Sequence, residues 1–171
     1  MSDLNHLAER AAVAASIIEG LGSHGADFSR NWMGFNAFYQ SFVTRNERQG
    51  LMSAVQDSIS VESANSILSD CSKEIAYILR IPPGDMRYPS TSPEFRRQSA
   101  QDMATATHSD CPSPIRVAHL VAAVFQVRCN LFHGSKNPTT ERSKKLIKAS
   151  DKITTSVLAA LFEVAAAPPA T

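Results

Sequence analysis

The stretch SPIRVAHLVAAVFQVRCNLFHG, from Ser113 to Gly134, decides the fold. Ser113-Pro114 is a helix-start signal: serine caps free N–H groups, and proline suits the first helical position. Val117, Leu120, Val121, Val124, Phe125 and Val127 then cover nearly every side of the helix that follows. A helix that is apolar all round is buried all round, so this segment predicts the central helix of a bundle. Gly134 supplies the stop, as a residue suited to the left-handed conformation just past a helix end. Asn137-Pro138 opens a last helix running to about Ala166, with Ile147, Ser150, Ile153, Val157 and Leu161 as its inner stripe. The short link from Gly134 to Asn137 predicts an antiparallel hairpin of these two helices.

Upstream, the same periodicity recurs. From about Asp3 to Leu21, Leu4, Leu7, Ala11, Ala14, Ile18 and Leu21 recur three or four apart, a helical stripe. Gly20, Gly22 and Gly25 mark a turn. From about Ala26 to Arg45, Phe28, Trp32, Phe35, Tyr39 and Phe42 form one aromatic face. A short helix is predicted over Glu47 to Ile59. Another over Ser60 to Leu79 uses Ile67, Cys71, Ile75, Ile78 and Leu79, and Ile81-Pro82-Pro83-Gly84 stops it. The chain from there to Pro112 is polar and punctuated by proline. Within it, Ser92-Pro93-Glu94 starts a short helix to about Thr105. A connection of this length is usually functional or mobile. No period-2 alternation long enough for a strand occurs. The expectation is an all-α, up-and-down bundle of five to six helices, a single domain over 1–166 with a frayed tail over 167–171.

Composition narrows the function classes. The chain has 171 residues, 43% of them hydrophobic and 19% charged, and a formal net charge of +1. Such a charge gives no global attraction to nucleic acid, so a site for one must be local. The three cysteines (Cys71, Cys111, Cys129) show no C-x-x-C and suit a reducing, cytoplasmic setting. Cys129 reads as a buried structural thiol. Asp3, Glu9, Arg10 and Glu19 interrupt any secretory leader. Ala118 to Val127 is apolar apart from His119 and Gln126, and Arg128 follows, so no membrane span is expected. His6, His24, His108 and His119 lack metal-ligand spacing and read as surface or satisfied core residues. There is no phosphate-cradling glycine loop and no G-x-S-x-G.

What remains is Arg128-Cys129-Asn130-Leu131-Phe132-His133-Gly134, an Arg and a His with four residues between them at the end of the central helix. Residues five positions apart lie about 140° apart around an ideal helix, so one straight helix does not put both on one face. Unwinding of the last turn, or a second copy of the chain across a two-fold axis, brings them to a common site. Histidine exchanges protons near neutral pH, and arginine offers phosphate a fixed fork of donors. Asn130 is placed to orient His133 or to contact a ribose. The bland alternative has Arg128 reaching out of the core to a carboxylate and His133 bonding the last free carbonyls of its helix.

Arg-x4-His with the flanking Asn-Leu-Phe-His-Gly-x-Lys, together with Trp32-Met33-Gly34-Phe35-Asn36-Ala37-Phe38-Tyr39, resembles the HEPN superfamily of small helical domains. The resemblance implies a metal-independent endoribonuclease of toxin or defence type, needing no cofactor. It implies a homodimer whose two motifs line one cleft, RNA as substrate, and products with 2′,3′-cyclic phosphate and 5′-hydroxyl ends. Arg128 would hold phosphate, His133 would be the acid/base and Asn130 would assist. Asn36 is either a satisfied buried amide or a partner of the motif. Downstream, six basic residues (Lys136, Arg142, Lys144, Lys145, Lys148, Lys152) stand against Glu141 and Asp151. Lys136, Lys145 and Lys148 are candidate phosphate contacts, and Arg87, Arg96 and Arg97 could add to them; a solvated helix face is the alternative. An inhibitory protein partner fits the toxin reading. Ser135 stands where toxins silenced by a nucleotidyltransferase often carry tyrosine, which argues against that control. HEPN domains also serve as non-catalytic modules that bind RNA, nucleotide or protein, and a purely structural helical subunit is a third reading.

Overall fold

A computed structural model describes residues 22–132 and 140–166, with side chains through 163. The stripe from Leu4 to Leu21, the stop at Gly134, His133, Lys136 and the tail lie outside the described residues. Seven α-helices and one 3-10 turn are present among the described residues, with no strand. They are α1 (residues 22–39), α2 (Glu47–Ser58), α3 (Val61–Asp70), α4 (Ser72–Arg80), α5 (Glu94–Thr107), α6 (Ser113–Phe132) and α7 (Glu141–Ala166). The fold is an all-α bundle, with more helices than expected.

Central α6 is enclosed as its sequence demands: no residue from 113 to 131 is exposed. Helices α2, α3, α5 and α7 pack around it. It also has the length and apolarity of a membrane span, contrary to the expectation above, but most of its apolar window is buried inside the bundle. Its first turn meets α3 through Ser113 and Asn65, and its last meets the Ile81–Gly84 turn through Asn130. Helix α7 starts beside that same turn through Arg142 and reaches the end of α3 at Ser156. The two helices therefore run antiparallel, as the short link predicts.

Helix α1 carries the aromatic face into the core. Phe28, Trp32, Phe35 and Tyr39 are all buried, and Trp32 meets Phe35 edge-to-face with centroids 5.4 Å apart. Trp32 also touches Phe125 of α6 at 6.2 Å. Edge-to-face pairs add about 0.5–1.5 kcal/mol each beyond the area they bury. Among the described residues the helix is already formed at residue 22, ahead of Ala26, and Gly22 there takes φ +56°, a value open to glycine. It also ends earlier than Arg45. After Tyr39 the chain tightens into a 3-10 turn, Gln40–Phe42, and crosses α2 at Gly50, where a Cβ would lie 2.8 Å from the Val43 backbone.

The helix expected over Ser60 to Leu79 is two helices. They break at buried Cys71, whose ψ of 15° departs from the helical value, and the halves diverge so that α3 packs on α6 and α4 on α7. Leu79, expected inside, is 42% exposed. The long connection before α5 is pinned to its neighbours. Gly84 lies against the tip of the Phe95 ring, where a Cβ would fall 2.1 Å from Cζ. The carbonyls of Ile81, Pro82 and Gly84 accept from Arg142 (3.2 Å), Arg96 (3.2 Å) and Asn130 (2.7 Å). Side chains from α7, α5 and α6 thus satisfy a backbone that no helix ladder can serve.

Candidate functional site

Arg128 sits on the last turn of α6 because its neighbours Val127 and Leu131 face the core and rotate it to the rim. Phe125 and Phe132, three and four positions away, bracket its guanidinium, with ring centres 5.7 and 5.3 Å from Cζ. Glu47, in the first turn of α2, brings Oε1 to 3.7 Å from Nη2, beyond hydrogen-bond length. The same Oε1 accepts a 2.7 Å hydrogen bond from the Tyr39 hydroxyl. Burial, reinforced by the Glu47 bond, holds that phenol protonated far above its ordinary range. The Arg128 side chain is only 22% exposed, and its buried Nε has no hydrogen-bond partner among the described residues. Its one other polar contact among the described residues is a weak one, Nη1 to Cys129 Sγ at 4.0 Å.

Asn130 is buried, with both ends of its amide engaged. Its Nδ2 donates to the Gly84 carbonyl and its Oδ1 accepts from Gln126 Nε2 at 3.1 Å. It thereby fixes the Ile81–Gly84 turn against α6. Between turn and helix lies a cavity of about 490 Å³, lined by Asp85, Met86, Arg87, Phe125, Gln126, Cys129 and Asn130. A second cavity of about 400 Å³ shares Asp85, Arg87, Phe125 and Gln126, so the two form one groove. The second part is walled by the first turns of α2 (Asn46, Glu47, Arg48) and α5 (Glu94, Arg97, Gln98), with Tyr88 on the loop.

Charges along the groove are largely matched. Asp85 accepts three contacts from the Arg87 guanidinium and one from its backbone N–H, and Arg87 holds its carboxyl below the usual range. Arg48 pairs with Asp102, a carboxylate only 1% exposed that also bonds His119 Nδ1 at 3.0 Å. His119 is thus a satisfied, half-buried residue, as one of its two sequence readings had it. Arg97 lines the groove and is exposed, whereas Arg96 is spent on the Pro82 carbonyl and the Phe95 ring. Half-buried Cys129 lines the groove, and burial pushes its thiol up, so it is a neutral wall and not a nucleophile.

Of the residues singled out in the sequence, Asn130 lines this groove, and Arg128 lines neither cavity but contacts two residues that do, Phe125 and Glu47. Lys145 and Lys148 are exposed on α7, none of whose residues lines it. Asn36 is half-buried on α1, one turn before Tyr39. Glu47 and Asp102 escaped the sequence reading, since their partners Arg128 and Arg48 lie in distant parts of the chain, and Tyr39 was read only as part of the aromatic face. Comparison of the chain with protein-family models, with curated proteins and with solved structures finds no match.

Proposed function

We propose that the chain is a HEPN-like, metal-independent endoribonuclease that acts as a homodimer of toxin or defence type. The observation that carries this reading is Arg128, a guanidinium 22% exposed whose nearest carboxylate among the described residues, Glu47, stands at 3.7 Å, beyond hydrogen-bond length. A phosphate oxygen is the acceptor such a fork fits best. In this reading Arg128 holds the scissile phosphate and stabilises the developing phosphorane. His133 takes the 2′-hydroxyl proton and returns one to the 5′-oxygen. The products are a 2′,3′-cyclic phosphate and a 5′-hydroxyl. Asn130 serves by fixing the groove wall, and Lys136, Lys145, Lys148 and Asn36 are candidate outer contacts. Exposed Met86 (40%), Tyr88 (41%) and Phe132 (45%) around the groove offer apolar surface to bases or to a second copy.

The test is cleavage of a mixed RNA pool in EDTA by the purified chain, His133→Ala and Arg128→Ala. Cutting by the parent alone, with cyclic-phosphate ends, is the expected result. Cutting that survives both substitutions refutes it. A second reading, a non-catalytic module binding RNA, nucleotide or a partner protein, gains from the engagement of both ends of Asn130, which leaves that amide little freedom to serve a substrate. It predicts no cleavage, with binding that weakens steeply with salt if the ligand is nucleic acid.

A further inference from the structure

Away from the groove, α1 and α7 bring three metal-type ligands together. His24 and Asp27 stand one turn apart on α1, and Asp151 faces them from α7. Their donor atoms all lie within 4.8 Å of one another. Among the described residues neither carboxylate makes an ion pair with His24, so the set is not closed on itself. Asp27 engages Arg30 through Oδ1, and Asp151 accepts from Asn31 through Oδ1 at 2.9 Å. Among the described residues no hydrogen bond engages the other oxygen of either carboxylate. The Asn31 amide is itself fixed by a 3.0 Å bond to Thr155 Oγ1, one turn beyond Asp151. Outer hydrogen bonds of this kind orient carboxylate ligands toward an ion.

We propose that His24, Asp27 and Asp151 bind a divalent transition-metal ion, zinc being the best matched, and that the ion clamps α1 to α7. One imidazole and two carboxylates form an N/O set suited to zinc, with a fourth position left for water. Zinc bonds of about 2.0–2.1 Å place tetrahedral ligands roughly 3.3 Å apart. Closing the set therefore asks for less than about 1.5 Å of movement, within the rotamer freedom of surface side chains. Arg30 beside Asp27 and Lys148 one turn before Asp151 reduce the local negative charge, so binding is weaker than at an all-cysteine structural site. The clamp is independent of the ribonuclease reading, whose chemistry runs in EDTA.

The test uses the tag-free full chain stripped with EDTA, titrated with zinc, nickel or manganese chloride by calorimetry and thermal unfolding. The expected result is one equivalent of zinc and a Tm raised by several degrees at saturation. His24→Ala and Asp151→Asn should each weaken binding about tenfold or more. Exposed His24→Ala should fold as the parent does, and Asp27→Asn replaces Asp151→Asn should that variant unfold. No heat and no Tm shift with any of the three metals overturns the proposal. So does binding undiminished in the variants, which would put the ion elsewhere.

Discussion

Arg128→Met separates a ligand-binding arginine from a structural one without any assay of activity. Methionine keeps an unbranched stem between Phe125 and Phe132 and removes the guanidinium. The variant loses an ion pair to a Glu47 that is itself 37% exposed, worth at most about 1 kcal/mol. It loses cation–π contact with two rings, about 0.5–1 kcal/mol each, and regains much of that through sulfur–aromatic contact. It relieves the unmet Nε donor, worth about 1–3 kcal/mol. Glu47 keeps the Tyr39 hydroxyl, so no carboxylate is stranded. The expected outcome lies between no change and a gain of about 2 kcal/mol, or up to roughly 8 °C in Tm for a chain of this size. Urea unfolding followed by fluorescence of the single tryptophan, buried Trp32, reads it directly. A loss above about 1 kcal/mol would show that the fold itself uses the guanidinium and would refute a phosphate-binding role for Arg128.

Three further outcomes follow from the same structure. Asn130→Ala strands the Gly84 carbonyl and the Gln126 amide and should cost about 2–3 kcal/mol in urea unfolding; a cost under 0.5 kcal/mol would mean the turn is not held there. Gly84→Ala pushes a methyl into the Phe95 ring and should cost about 1–3 kcal/mol while exposing the 81–93 connection to limited proteolysis; parental resistance would contradict the close contact. Asp85 has a folded-state pKa below its unfolded value, so the stability it lends is complete above the unfolded pKa and is lost as pH falls through the folded one. The stability difference between the parent and Asp85→Asn should therefore be full near pH 6 and shrink below about pH 4; a difference that grows toward acid would reverse the assignment.

Periodicity made the bundle legible where a whole stripe obeys it. All-round apolarity marked α6 as central, and the Phe28 to Tyr39 stripe is the buried face of α1. The break at Cys71 left no such trace: neither Gly nor Pro marks it, and it arises because α3 and α4 pack on different helices. Gly25 read as a turn yet lies buried inside α1, its carbonyl taken by Ser29 at 2.8 Å. The candidate site was half legible. Arg128 and Asn130 stood out by spacing. The partners that define their states, Glu47, Tyr39 and Gly84, lie 46 or more residues away, and no local pattern announces them. The same distance hid Asp151 from His24 and Asp27.

The turn from Ile81 to Gly84 has a kinetic consequence. Its three carbonyls are held by side chains 14, 46 and 61 residues further along the chain. Helices such as α5 and α6 form from neighbouring residues in about a microsecond, whereas these three bonds require all of their parent helices to be docked. The turn is therefore a late lock on the folding route, absent from the transition state. Weakening any one of its anchors should leave the refolding rate almost unchanged and shorten the lifetime of the native state. Survival against proteases and heat would then rest on a proline-rich corner rather than on the core helices it joins.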